Sequence, residues 1–278
     1  MYSFNVRAPS VAGYFYPNDP AEIRVMLSSL QKKIQKRIAP GKIIGAVVPH
    51  AGYIYSGLSA MHAYTTIMDS QKADPLKFII LGPSHRGYPI YPAVYDSGSW
   101  ITPLGIAEID SELGKDLLSK SHTARYDLEG HEGEHSIEVQ IPMLQYLLDG
   151  KLRFLPIQLG DQGIKITDML ADDILKIKSD FILIASSDLN HYEPQKITNE
   201  KDYALISKIT SLDIQGFYSV LEERQVSACG YGAISVLMNV TKKLNGKMEL
   251  IHHSTSGDVN GDLQSVVGYS AIISYLPE

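Results

Sequence analysis

Ile43-Ile44-Gly45-Ala46-Val47-Val48 runs without a break into Pro49-His50-Ala51-Gly52-Tyr53. The first six residues have the continuous apolar character of a strand covered on both faces. The next five form a turn that carries a histidine. The pattern recurs twice. Phe78-Ile79-Ile80-Leu81 leads into Gly82-Pro83-Ser84-His85, and Phe181-Ile182-Leu183-Ile184-Ala185 leads into Ser186-Ser187-Asp188-Leu189-Asn190-His191. In open α/β sheets, ligands bind in the crevice beyond the carboxyl ends of the strands. Three strand-end histidines, remote in sequence, are therefore expected to meet in one crevice. Imidazole is the commonest metal ligand and the commonest general acid/base, so the pattern points to a site as well as to a fold.

The flanking segments agree. Ile23, Met26, Leu27, Leu30 and Ile34 have helical spacing, which predicts a helix over 21–38 stopped by Ala39-Pro40-Gly41. Further helices are expected near 57–69, 110–120, 134–148, 166–177, twice within 199–222, and over 229–243. Strands are expected at 77–82, 153–159, 248–253 and 266–275, with a break at Asp74-Pro75 and an edge strand or hairpin in 88–103. Residues 121–133 read as a loop. Strands alternating with helices imply a three-layer α/β sandwich with a largely parallel central sheet, and the closing pair of strands adds antiparallel pairing. The chain shows no internal repeat and no long linker, so residues 1–278 are read as one domain.

The composition is that of an ordinary globular protein: 44% hydrophobic, 20% charged, with a net charge of −6. That balance gives no footprint for nucleic acid or an anionic membrane. The cluster Lys32-Lys33-Ile34-Gln35-Lys36-Arg37 reads as a solvated face late in a helix. A single cysteine, Cys229, excludes an intrachain disulfide and fits a reducing compartment. With no signal-peptide pattern and no apolar run of transmembrane length, a cytoplasmic location is expected.

Each candidate has a plainer reading. His50 or His85 alone could be a hydrogen-bonded structural residue; the repeated context argues for both. Asp188 could orient His191 or bind metal itself, or Ser187-Asp188 could only cap a helix. Cys229, in Ser227-Ala228-Cys229-Gly230-Tyr231-Gly232, precedes an apolar helix whose N-terminus would favour thiolate, although a lone cysteine is by default a small buried hydrophobe. His131-Glu132-Gly133-Glu134-His135 matches the zinc-peptidase pattern, but Gly133 disfavours the single helix that the pattern needs. His131 is therefore expected in a loop outside the crevice. His135, with Glu138 on the same face, is expected to point inward from the first turn of a helix.

Together the blocks resemble the Memo family. Arg7-Ala8-Pro9 with Ala12-Gly13-Tyr14-Phe15-Tyr16-Pro17 resembles its N-terminal signature. Pro49 to Gly57, Leu81 to His85, Glu134 to Glu138 and Ser186 to His191 resemble its internal blocks, and Cys229-Gly230 and Gly268-Tyr269 match near the end. This family is similar to the LigB-type extradiol dioxygenases, non-haem iron enzymes that hold Fe(II) with two His and a Glu. By that resemblance His50 and His85 are the metal histidines, and Cys229 stands where the dioxygenases have the Glu. His135 and His191 then match acid/base positions. The resemblance implies a LigB-like fold and an Fe(II) or Cu site of His50, His85 and Cys229 with redox or oxygenase chemistry. His135, Asp188 and His191 would be catalytic. The alternatives are a non-catalytic pocket for a phosphotyrosine-like, anionic or aromatic ligand, small molecule or peptide, and a cysteine hydrolase with Cys229 as nucleophile and His191 and Asp188 as base and orienter.

Overall fold

The computed structural model describes residues 5–71 and 76–278, so the expected break at Asp74-Pro75 lies outside the described residues. A short strand β1 (Val6–Arg7) precedes helix α1 (Pro20–Gln31), strand β2 (Gly41–Val48), helix α2 (Tyr53–Ser70) and strand β3 (Lys77–Pro83). Next come β4 (Ala93–Val94), the hairpin β5 (Ser99–Thr102) and β6 (Gly105–Ile109), helix α3 (Ser111–Lys120) and β7 (Arg125–Tyr126). A 3-10 turn at Glu129–His131 leads to α4 (Gln140–Leu147), β8 (Arg153–Leu159), α5 (Ile164–Leu175) and β9 (Ile182–Ser186). The chain ends with β10 (His191–Glu193), α6 (Gln195–Thr210), α7 (Ile214–Glu223), α8 (Tyr231–Lys243), β11 (Lys247–Thr255), α9 (Gly257–Asn260) and β12 (Val266–Pro277).

The strands form one mixed sheet in the order β1-β5-β6-β8-β3-β9-β2-β12-β10, with β11 on β12 and β4 joining β7 to β8. Its centre, β6-β8-β3-β9-β2, is parallel throughout, and β12 runs antiparallel to β2, β10 and β11. The central strands feed two cores, with strict alternation along β3 and β9 and a register shift in β2 at Ile44. Ile44, Val47, Ile79, Leu81 and Leu183 pack toward Leu170, Ile174, Ile234 and Leu237 of α5 and α8. Ile43, Ala46, Val48, Phe78, Ile80 and Ile184 pack toward Ile23, Leu27, Met61, Tyr64 and Ile141 of α1, α2 and α4. Two covered faces explain why these strands read as unbroken apolar runs. No described helix is long and apolar enough to cross a membrane.

Two helix expectations are corrected. Helix α1 stops at Gln31, where Lys33 and Ile34 bond back to Leu30 and Gln31 in the tighter 3-10 pattern. The basic cluster therefore lies beyond the helix end, and Arg37 pairs with Glu249 on β11. The helix expected from residue 134 starts at Gln140 instead. Pro142 has no N–H to donate and its ring crowds the preceding turn, so it is tolerated only near a helix start.

Candidate metal centre

Parallel β2, β3 and β9 end side by side, and the loops that leave them carry the site. Pro49 closes β2 and presents His50; the end of β3 presents His85; β9 leads to Asp188 and His191. Cys229 arrives from the loop before α8. Gly230 makes that approach possible, because a methyl group there would overlap the Ser186 carbonyl oxygen. The result is a cleft of about 690 Å³ lined by Phe15, His50, His85, His135, Asp188, His191, Tyr192 and Cys229, among others.

Within it, one metal-ligating atom each of His50, His85 and Cys229 lie within 4.8 Å of one another. Cys229 Sγ is 2.9 Å from His50 Nε2, and the Asp188 N–H donates to the sulfur at 3.2 Å. The His50 and His85 rings meet edge to face at 5.3 Å, and His135 stacks on His85 at 4.5 Å. Two further sets meet the same distance limit: Asp188, His191 and Cys229, and His85, Glu134 and His135.

Burial sets the charge states. It pushes His50 well below the ordinary imidazole range, helped by the neighbouring His135 and His85. It pushes the Cys229 thiol well above its usual value, reinforced by Asp188. The expected helix-end thiolate is thus corrected: desolvation outweighs the helix end, and without a metal the pair is a neutral thiol beside a neutral imidazole. Burial also raises Asp188 to about 7, against backbone N–H bonds from His50 and Ala51 to its Oδ1. Asp188 caps no helix; it holds the His50 loop. Burial lowers both His135 and His191.

Glu134 is a site residue that spacing alone did not single out. It is buried, and its carboxylate accepts the Nδ1 side of His85 at 2.9 Å and the N–H groups of His85, His135 and Ser136. Burial opposes its charge, but the His85 bond and charge, with those N–H bonds, bring it down to about 2. For His85, burial works downward and the Glu134 bond and charge prevail, so its pKa rises. A folded-state pKa below the unfolded one stabilises the fold above the unfolded value, and that stabilisation is lost as pH falls toward the folded value. In chelator-treated protein, Glu134→Gln should therefore flatten the fall in stability between about pH 4 and 2. Emission of the single tryptophan, Trp100, during urea unfolding at stepped pH measures it; an unchanged slope would contradict the assignment.

His131 lies in the 3-10 turn, fully buried and away from the cleft, with Nε2 on the Ala93 carbonyl and its ring against Tyr95 and Trp100. Gly133 adopts φ +66°, which no helix through both histidines could accommodate. His135 points into the cleft, but from the turns ahead of α4 and not from its first turn. Glu138 is corrected too: it faces away from the cleft and binds Arg7. His131→Ala should cost about 1–3 kcal/mol of stability and leave metal uptake unchanged. Uptake lost as fully as in His50→Ala would revive the zinc-peptidase reading.

At the mouth, Tyr192 is 76% exposed and adopts φ +61°. It is the extra residue of a bulge, since His191 and Glu193 face the adjacent Val267 and Val266.

The model of the Memo-like protein family matches residues 7–273. A MEMO1 family protein of Thermoplasma acidophilum is 49% identical over 271 residues, covering 98% of this chain and 99% of its own. Another from Thermoplasma volcanium is 46% identical over 269 residues, covering 97% and 98%. A solved structure of an uncharacterized protein from Escherichia coli K12 aligns over 96% of this chain and 98% of its own, with 11% identity and a TM-score of 0.46.

Proposed function

The chain belongs to the Memo-like protein family, and on that premise we propose that it binds a redox-active transition ion, iron(II) or copper, through His50, His85 and Cys229. The observation that supports this most is the convergence of two imidazoles, from the ends of β2 and β3, and a thiol from the loop before α8. Donor chemistry fits the group. Two imidazoles and a sulfur suit copper(I) better than oxygen-preferring ions, and uptake would displace the thiol proton. His85 is already oriented by a buried carboxylate, the usual outer partner of a metal-binding imidazole. A bound ion would supply one-electron chemistry and a position for a small ligand.

The remaining residues handle protons and shape. Asp188 can hold a proton near neutral pH while its backbone bonds fix the His50 loop. His135 and His191, neutral and facing the cleft, can accept a proton from a ligand. A cysteine hydrolase finds less support, because burial keeps Cys229 and His50 neutral where an activated nucleophile needs thiolate.

The exposed, strained Tyr192 favours a second reading, a pocket that holds a flat or anionic ligand without turnover. Anaerobic titration of tag-free protein with Cu(I) and Fe(II) against competing chelators, followed by oxygen uptake with catechols, separates the two. One equivalent of Cu(I), bound more tightly than Fe(II), is expected. Binding no stronger than in the His50→Ala, Cys229→Ala double variant would end the metal reading.

A further inference from the structure

We infer that Ser186, held by Gln140, is a positioning residue that sets the tautomer of His50 and turns the bare nitrogen of that ring toward Cys229. Its value to an ion rests on the metal reading above; the tautomer itself does not. Each hydrogen bond from Gln140 to His50 has one possible direction, because the carbonyl oxygens along the way can only accept.

Gln140 is buried, and its side-chain amide lies 2.9 Å from the Pro49 carbonyl oxygen and 2.9 Å from Ser186 Oγ. The atom facing a carbonyl must be the NH2, so Oε1 faces the buried Tyr64, whose hydroxyl donates to it at 2.7 Å. Both amide hydrogens are then engaged, one of them on Ser186. Ser186 Oγ lies 2.6 Å from the Ser136 carbonyl oxygen, so its single proton goes there. A hydroxyl has one donor and two acceptor positions. The Ser186 proton is donated to the Ser136 carbonyl, one acceptor position takes the Gln140 amide N–H, and the other faces His50 Nδ1 at 2.9 Å.

With its proton committed, Ser186 can only accept from the ring. His50 therefore carries its hydrogen on Nδ1 and a lone pair on Nε2, the atom 2.9 Å from Cys229 Sγ. The opposite tautomer would place two hydrogen-free atoms, Nδ1 and the Ser186 acceptor, against each other, and an N–H where a metal ligand needs a lone pair. Ser136 is anchored in turn, since its own hydroxyl donates to the Pro83 carbonyl at 2.8 Å. The end of β3, the segment ahead of α4 and the end of β9 thus fix the protonation of one ring.

Long-range 15N–1H correlation spectra of chelator-treated, 15N-labelled protein test this, with His50→Gln identifying the His50 signals. Wild type should show protonated Nδ1 and bare Nε2. Ser186→Ala should shift His50 toward the Nε2–H form and weaken Cu(I) binding about 10- to 100-fold. Ser186→Thr, which keeps the hydroxyl, should restore both. An Nε2–H signal in wild type, or nitrogen shifts unchanged in a folded Ser186→Ala, would overturn the inference, and the wild-type spectrum decides even if a variant misfolds. The expected tautomer without Cu(I) binding would overturn the metal reading alone. Tight binding with the wrong tautomer would do the reverse.

Discussion

Glu138→Ala is expected to destabilise the fold by about 3–5 kcal/mol, the range for removing one partner of a buried ion pair. Glu138 is 1% exposed. Its carboxylate accepts from the Arg7 guanidinium at 2.6 Å, from the Ser10 and Val11 N–H groups at 2.9 Å and from the Tyr16 hydroxyl at 2.8 Å. Alanine would leave four donors without an acceptor and a buried cation without its counter-charge. Arg7 would keep its bonds to the His131 and Glu134 carbonyls and its seat over Trp100, 4.2 Å from the ring centroid, but these do not neutralise it. The effect should reach the cleft, because the same N-terminal segment supplies Phe15, whose carbonyl accepts the Tyr53 N–H at the start of α2. Urea unfolding followed by Trp100 emission gives the value. A loss under about 1 kcal/mol would mean the cluster is solvated and that this reading of it is wrong.

The second large effect is expected at the thiol. Cys229→Ser should lower Cu(I) affinity by more than about 100-fold, beyond the loss typical of an outer-shell change, while Fe(II) affinity falls less. Cys229→Glu restores a two-His, one-carboxylate set and should move the preference toward Fe(II). Efficient turnover is not expected from it, because pocket and outer partners would be unmatched. Chelator competition reads all three proteins. Equal affinities would show that Cys229 only packs, and weight would pass to the pocket without turnover.

The central sheet was legible because β2, β3, β8 and β9 are covered on both faces and carry little but apolar residues. The positions of His50, His85 and His191 followed from that alone. Less could be read where long-range contacts decide. The two-residue strands β1, β4 and β7 have no pattern of their own and exist because neighbouring backbone offers them partners. The late start of α4 was marked by Pro142, a local signal that the apolar spacing of Ile137, Ile141 and Leu144 overrode. Glu134 and Glu138 both stood near His135, and nothing in their spacing distinguished the carboxylate that holds His85 from the one that holds Arg7. Charge at Cys229 was misread because proximity to a helix is visible in sequence and desolvation is not.

The site also carries a history of assembly. His50 meets Cys229 across 179 residues of chain, and the last strand, β12, lies beside the first long one, β2. Closures of that length carry a loop entropy that only the finished packing repays, which makes such contacts late events in folding. A nascent chain that has exposed His50 and His85 still lacks Cys229 and the strand that completes the sheet. On the metal reading proposed above, ion loading would follow synthesis, and by mass action a bound ion would stabilise the completed protein over every partly folded form.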